Sequence, residues 1–170
     1  MEKLLQKLET GWKKLVSKLN LDNQIEKQLL EALQRDYFEE KSISELLEKE
    51  SARIPYNHLR KKLLDIAQSE KQHAELLADK IQKLGGTLPD HAVELRNQRQ
   101  KQQFTSTIDL LKLLEEEKDE YIEYINTAYL AEDAGHKDLK ELLMKIGEEE
   151  RRHRKELMDI LSRLNPLPAS

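Results

Sequence analysis

A carboxylate and an imidazole interrupt an otherwise apolar helix face between Leu59 and Gly86. The apolar residues of this stretch recur every three or four positions, as on the buried side of an α-helix, at Leu59, Leu63, Ile66, Leu77, Ile81 and Leu84. Glu70 and His73 occupy the two positions that complete the series. A buried carboxylate is costly unless it is paired, protonated or bound to a metal ion. The stretch therefore restricts both the fold and the chemistry of the chain.

The same arrangement recurs at residue numbers higher by 80, between Leu139 and Leu164. The apolar stripe of this second stretch also has two gaps, which hold Glu150 and His153. The same offset aligns Glu40 with Glu120. This correspondence predicts an internal duplication in which glutamates and histidines have been kept.

The composition favours a single all-α domain. A chain of 170 residues is long enough to bury the core of a four-helix bundle without disulfides. It has five glycines, four prolines and 5% aromatic residues, and no stretch alternates like a β-strand. There is no cysteine, which excludes thiol catalysis and cysteine-ligated metals within this chain.

The charge pattern argues against a nucleic-acid partner, and the hydropathy of the chain argues against a membrane span. Charged residues make up 36% of the chain, but they are interleaved along helix surfaces and the net charge is only −4. No run approaches the ~20 apolar residues that span a bilayer, and the N-terminal residues do not resemble a signal peptide. We therefore predict a cytoplasmic protein with no membrane span.

The predicted architecture is a short N-terminal amphipathic helix over residues 1–21 and a four-helix bundle over residues 22–165. Residues 20–23 are polar and suited to capping, Pro55 ends the first bundle helix, and glycines end the second and third. The bundle helices are predicted at about 22–51, 56–84, 107–134 and 137–164. The connection over residues 87–106 is long enough to cross the length of the bundle. The N-terminal helix is expected to pack on the bundle or on a neighbouring subunit, with binding to a membrane surface or an anionic partner as the alternative.

The residues that interrupt the apolar stripes have the chemistry of metal ligands. A Glu and a His three residues apart project to the same side of a helix, so each motif supplies half a site. The first bundle helix, whose stripe also includes Asp36, adds Glu40 as a ligand, and the third adds Glu117 or Glu120. Two divalent cations would neutralise four clustered carboxylates, and oxygen-rich ligation with one imidazole per metal suits iron or manganese. Three nearby tyrosines are interpreted as core aromatics, namely Tyr37, Tyr121 and Tyr124.

These motifs resemble those of the ferritin-like superfamily, and most closely its rubrerythrin-like members. SEKQH and EEERRH match the two Glu-x-x-His motifs, and IQKLGGTLP resembles the end of the second helix in that group. The resemblance covers about residues 22–165. It implies a ferritin-like four-helix bundle with a long crossover between the second and third bundle helices.

By this resemblance, Glu70 and Glu150 would bridge two metal ions. Each ion would also be bound by one histidine and one terminal carboxylate, from the set His73, His153, Glu40 and Glu120. A Glu-x-x-Glu motif on the third helix makes Glu117 a further candidate. The residues that precede the motif glutamates, Ser69 and Glu149, would orient the histidine of the opposite half.

The resemblance implies a dinuclear non-haem iron or manganese protein that reacts with dioxygen or hydrogen peroxide. Ferroxidase or peroxidase activity is favoured over oxygenation, since the inner face shows no pocket for an organic substrate. Without cysteine the chain has no rubredoxin centre, so a peroxidase cycle would need an external electron donor. Two alternatives stay open: a metal-free helical scaffold that binds a partner, and metal storage without turnover. The protein could also form a homo-oligomer.

Overall fold

The computed structural model describes residues 2–89 and 106–164, without the side chains of residues 2–17, 106–110, 112 and 115–118. This part of the chain contains four α-helices: α1 (Glu2–Ser51), α2 (Asn57–Lys83), α3 (Ser106–Asp133) and α4 (Lys137–Leu164). They form the predicted all-α four-helix bundle. None of these helices is long and apolar enough to cross a membrane. Most of the predicted crossover, residues 90–105, lies outside the described residues.

The helix ends follow from local sequence chemistry. Pro55 lies in the turn between α1 and α2, where its missing N–H cannot continue a helix. Gly85 and Gly135 follow α2 and α3 with φ values of 76° and 84°, a left-handed conformation that side chains disfavour. These turns make α1 and α2 one antiparallel hairpin and α3 and α4 another.

The structure does not show a separate N-terminal helix. The predicted break at residues 20–23 lies inside α1, which runs without interruption from Glu2 to Ser51. These four residues include neither proline nor glycine, so their capping potential does not outweigh the helix propensity on both sides. Leu19 and Leu21 are 53% and 56% exposed, so this part of α1 has no packing partner among the described residues. The predicted packing of residues 2–17 lies outside the described side chains.

Two apolar clusters form the core, one towards each end of the bundle. Each cluster draws residues from all four helices. The first cluster includes Leu29, Leu33, Leu77, Ile81, Ala128, Leu139 and Leu143. The second cluster includes Ile43, Leu47, Leu59, Leu63, Leu113, Leu157 and Ile160. In chain order, Glu40, Glu70 and Glu150 each fall between a member of one cluster and a member of the other. The carboxylates therefore lie in the middle of the bundle with apolar packing on both sides.

A glycine brings α3 and α4 close together beside these carboxylates. Gly147 is buried on α4, three residues before Glu150. A Cβ atom at Gly147 would lie 3.2 Å from the Cβ of Tyr124 on α3, which is tighter than most carbon–carbon contacts. The missing side chain therefore sets how near Tyr124 lies to α4.

Candidate metal centre

Five of the predicted site residues meet in the middle of the bundle. Glu40 comes from α1, Glu70 and His73 from α2, and Glu150 and His153 from α4. None of the five is more than 3% exposed. One possible ligand atom from each of Glu40, Glu70, His73 and Glu150 lies within 4.8 Å of the other three. We call these five residues the Glu/His cluster.

Each histidine of the Glu/His cluster contacts both motif glutamates through Nδ1. His73 Nδ1 lies 3.2 Å from Glu70 Oε2 and 2.8 Å from Glu150 Oε1. His153 Nδ1 lies 2.7 Å from Glu70 Oε1 and 3.3 Å from Glu150 Oε2. The two imidazole rings stack with their centroids 5.8 Å apart. The two sequence halves related by the 80-residue offset therefore contact each other across the bundle, and neither half holds a complete cluster.

The pKa shifts of the cluster residues show how burial and neighbouring charges act on them when no cation is bound. Burial raises the pKa of Glu40 well above its usual value, and the neighbouring carboxylates of Glu150 and Glu70 raise it further. Burial also acts to raise the pKa of Glu70, but close contacts with the two histidines outweigh it and lower that pKa to about 2. Burial lowers the pKa of each histidine, yet contacts with the carboxylates raise the pKa of His153 to about 10 and that of His73 well above its usual range. In the metal-free cluster, protonated imidazoles would therefore offset only part of the carboxylate charge.

The donor atoms fit a divalent cation. Three buried oxygens have no hydrogen-bond partner: Glu40 Oε2, Glu70 Oε1 and Glu150 Oε1. A histidine Nδ1 lies near the last two, but not in hydrogen-bond geometry. Buried oxygens left without a donor are costly, and a site of carboxylates with imidazole nitrogens suits iron or manganese.

Glu149 orients one of the histidines, as predicted. His73 Nε2 and Glu149 Oε2 are 2.8 Å apart, so Nε2–H donates to the carboxylate and Nδ1 faces the other carboxylates. Burial acts to raise the pKa of Glu149, but the hydrogen bond from His73 outweighs it and lowers that pKa. For the other predicted pair, Ser69 and His153, no hydrogen bond is present between these two described side chains.

Replacing Glu149 by alanine is expected to weaken Fe(II) binding by roughly 10- to 100-fold, the usual cost of losing the partner of a ligating histidine. An anaerobic Fe(II) titration of the metal-stripped variant measures this. Glu148→Ala is the matched control, because Glu148 is the exposed neighbour on the same helix. Equal affinities in the two variants would show that the hydrogen bond to His73 does not matter for binding.

Tyr124 belongs to the site as well as to the core. It is 3% exposed and packs in the first apolar cluster, as predicted for a core aromatic. Its hydroxyl also donates a hydrogen bond to Glu40 Oε1. Burial raises the pKa of Tyr124 well above its usual value, and the charge of Glu40 raises it further. Sequence reasoning missed this contact, although Tyr124 follows Glu120 by one helical turn on the inner stripe of α3.

The contribution of α3 to the ligand set stays a prediction. Glu120 lies half-buried on that helix. The side chain of Glu117 lies outside the described residues.

Four helices packed around a buried set of glutamates and histidines define the chain as a ferritin-like carboxylate protein. A family model described as "Rubrerythrin" matches residues 31–161. The chain therefore belongs to the rubrerythrin family.

Two solved structures share this fold. A protein from Xanthomonas campestris pv. campestris is 16% identical, and the match covers 82% of this chain and 92% of that one with a TM-score of 0.69. The bacterioferritin of Desulfovibrio desulfuricans is 17% identical, and the match covers 88% of this chain and 93% of that one with a TM-score of 0.64. The latter structure is described as containing a diiron site in different catalytic states. Identities this low establish the fold alone. No curated protein is significantly similar to this chain.

Proposed function

We propose that the protein is a dinuclear non-haem iron or manganese protein that reacts with dioxygen or hydrogen peroxide, as a ferroxidase or peroxidase. The observation that carries this proposal is the set of buried oxygens of Glu40, Glu70 and Glu150 that lack a hydrogen-bond partner and lie around two imidazole nitrogens. Such a set is unfavourable in a metal-free core and is a suitable ligand set for two cations. Membership of the rubrerythrin family supports the same reading.

The contacts within the cluster support a bridging role for Glu70 and Glu150. Each of these carboxylates has an oxygen within 3.3 Å of Nδ1 of both histidines. A group bound at either histidine is therefore within reach of both carboxylates. Glu40 would bind one ion, together with His73 or His153. Glu120 and Glu117 on α3 are the proposed ligands that complete the set.

The chain's own residues prepare the site for redox chemistry. When bound, the two ions would supply electrons to the oxidant. His73 keeps its proton at Nε2, on Glu149, so that Nδ1 is directed at the carboxylates. Tyr124 holds a hydroxyl proton against Glu40. The apolar clusters on both sides keep bulk water away, which strengthens the electrostatic interactions inside. Because the chain has no cysteine, reducing equivalents for a peroxidase cycle would come from a separate donor.

The test is an anaerobic Fe(II) titration of the metal-stripped protein, followed by addition of dioxygen or hydrogen peroxide. We expect two tightly bound Fe(II) ions per chain and their oxidation when oxidant is admitted. Absence of tight binding would contradict the proposal and favour a metal-free scaffold. Uptake of iron without repeated consumption of oxidant, in the presence of a reductant, would instead indicate storage.

A further inference from the structure

A second group of acidic side chains lies beside the Glu/His cluster. Asp36 and Glu39 of α1 and Glu123 of α3 each place one carboxylate oxygen within 4.8 Å of the other two. We call these three residues the outer carboxylates. Asp36 precedes Glu40 by one helical turn, and Glu123 is the neighbour of Tyr124. None of the three belongs to the ligand set proposed above.

The burial of Asp36 favours the binding of a cation. It is 2% exposed, and neither of its carboxylate oxygens has a hydrogen-bond partner. Glu123 Oε2, on the facing helix, is buried and lacks a hydrogen-bond partner as well. Burial raises the pKa of Asp36 to about 7, because the opposing effects of Arg35 and Thr127 are smaller. An aspartate this deep in a helical core is costly unless something compensates its charge.

Arg35 compensates only part of this charge. Its Nη2 lies 3.7 Å from Asp36 Oδ1, and its Nε lies 3.4 Å from Glu123 Oε2. Both distances exceed that of a good hydrogen bond, and the arginine side chain is 53% exposed. Arg35 therefore leaves both buried oxygens of Asp36 without a hydrogen-bond donor, and a divalent cation would supply the missing compensation.

We propose that Asp36, Glu39 and Glu123 form a third cation site that binds a hard divalent cation such as Mn²⁺. Three carboxylates supply an all-oxygen donor set, which suits hard cations. Without an imidazole, and with Arg35 competing for the same oxygens, this site is weaker than the Glu/His cluster. The half-buried Glu39 and Glu123 connect the buried Asp36 with solvent, so a cation can reach it from the surface. The site does not depend on the dinuclear proposal.

Tyr124 is linked to both sites. Its hydroxyl donates to Glu40, and the charges of both Glu40 and Asp36 contribute to its raised pKa. A cation at the outer carboxylates therefore acts on the same tyrosine that holds Glu40. The two sites are neighbours within one bundle but have separate ligands.

The test is a Mn²⁺ titration of the metal-stripped full chain, with bound and free ions counted by electron paramagnetic resonance. Asp36→Asn and Glu123→Gln are each expected to lose the weakest bound ion, or to bind it at least tenfold more weakly. Glu48→Gln is the matched control, because Glu48 is an exposed glutamate on α1 away from the cluster. Arg35→Gln should bind the outer ion more tightly, since a competing charge has been removed.

Unchanged counts and affinities in both Asp36→Asn and Glu123→Gln would overturn the third site. If Asp36→Asn does not fold, the Glu123→Gln variant alone tests the site, because Glu123 is only half-buried and its substitution should leave the fold intact. The dinuclear proposal has a separate test: it is contradicted if a Glu70→Gln variant binds as many Mn²⁺ ions as the wild type. An Arg35→Gln variant that is less stable than the wild type and yet binds Mn²⁺ no more tightly would contradict the third site. That result would show that Arg35 only forms an ion pair with these carboxylates.

Discussion

A Glu70→Gln variant is expected to lose tight Fe(II) binding at the Glu/His cluster, together with oxidation of Fe(II) by dioxygen or hydrogen peroxide. Glu70 contacts Nδ1 of both histidines, so the substitution removes an anion shared by both halves of the cluster. Loss of an outer partner typically costs about 10- to 100-fold in metal affinity. Loss of a direct, shared ligand should cost more. Anaerobic titration gives the affinity, and stopped-flow absorbance after mixing with oxidant gives the oxidation rate.

Glu75→Gln is the control for this substitution, because Glu75 is an exposed glutamate on the same helix. It should bind and oxidise Fe(II) as the wild type does. Glutamine preserves the volume of glutamate, so the bundle should still form, and circular dichroism can verify this. A folded Glu70→Gln protein with unchanged affinity and oxidation rate would rule out Glu70 as a ligand.

Metal binding is expected to raise the melting temperature, and a Glu40→Gln variant should lose much of that rise. A ligand at 100 times its Kd stabilises the folded state by ~2.7 kcal/mol per site. One kcal/mol shifts Tm by roughly 2–4 °C in a domain of this size, so two occupied sites should raise Tm by on the order of 10 °C. Thermal unfolding with and without excess Mn²⁺ measures the rise.

The metal-free Glu40→Gln protein should be at least as stable as the metal-free wild type. Burial and neighbouring carboxylates raise the pKa of Glu40 well above its usual value, so a charge on this side chain is unfavourable there and glutamine removes it. Glutamine can still accept the hydrogen bond from Tyr124. Glu48→Gln, at an exposed position on α1, should leave Tm as in the wild type both without metal and with excess Mn²⁺. The same metal-induced rise in Glu40→Gln as in the wild type would exclude Glu40 from the ligand set.

The Glu/His cluster was predictable because helical periodicity fixes which residues share a face. Glu70 and His73 fill gaps in an apolar stripe, as do Glu150 and His153 one repeat later. The structure buries all four, which confirms the predicted placement. The bounds of α4 and the end of α1 at Ser51 were predictable for a related reason, since proline, glycine and capping residues act locally.

Contacts between helices were less predictable, because periodicity does not give the axial offset of one helix against another. Tyr124 was assigned to the core, but only the offset of α3 against α1 shows that its hydroxyl meets Glu40. For the same reason, the carboxylate of Asp36 was seen within an apolar stripe, but its neighbour Glu123 was not identified. The break predicted at residues 20–23 was wrong for another reason, since potential caps do not end a helix that both flanks favour.

Gly147 has no functional group, yet the space around it limits which residues the chain can carry at this position. A methyl group at this position would lie 3.2 Å from the Cβ of Tyr124 and fits only if that neighbour yields by a few tenths of an ångström. Such a shift would move the hydroxyl that meets Glu40. Substitutions at position 147 are therefore expected to act on the chemistry through the position of Tyr124, without altering a reactive atom. Searches for variants of altered activity should include it beside the acidic and histidine positions.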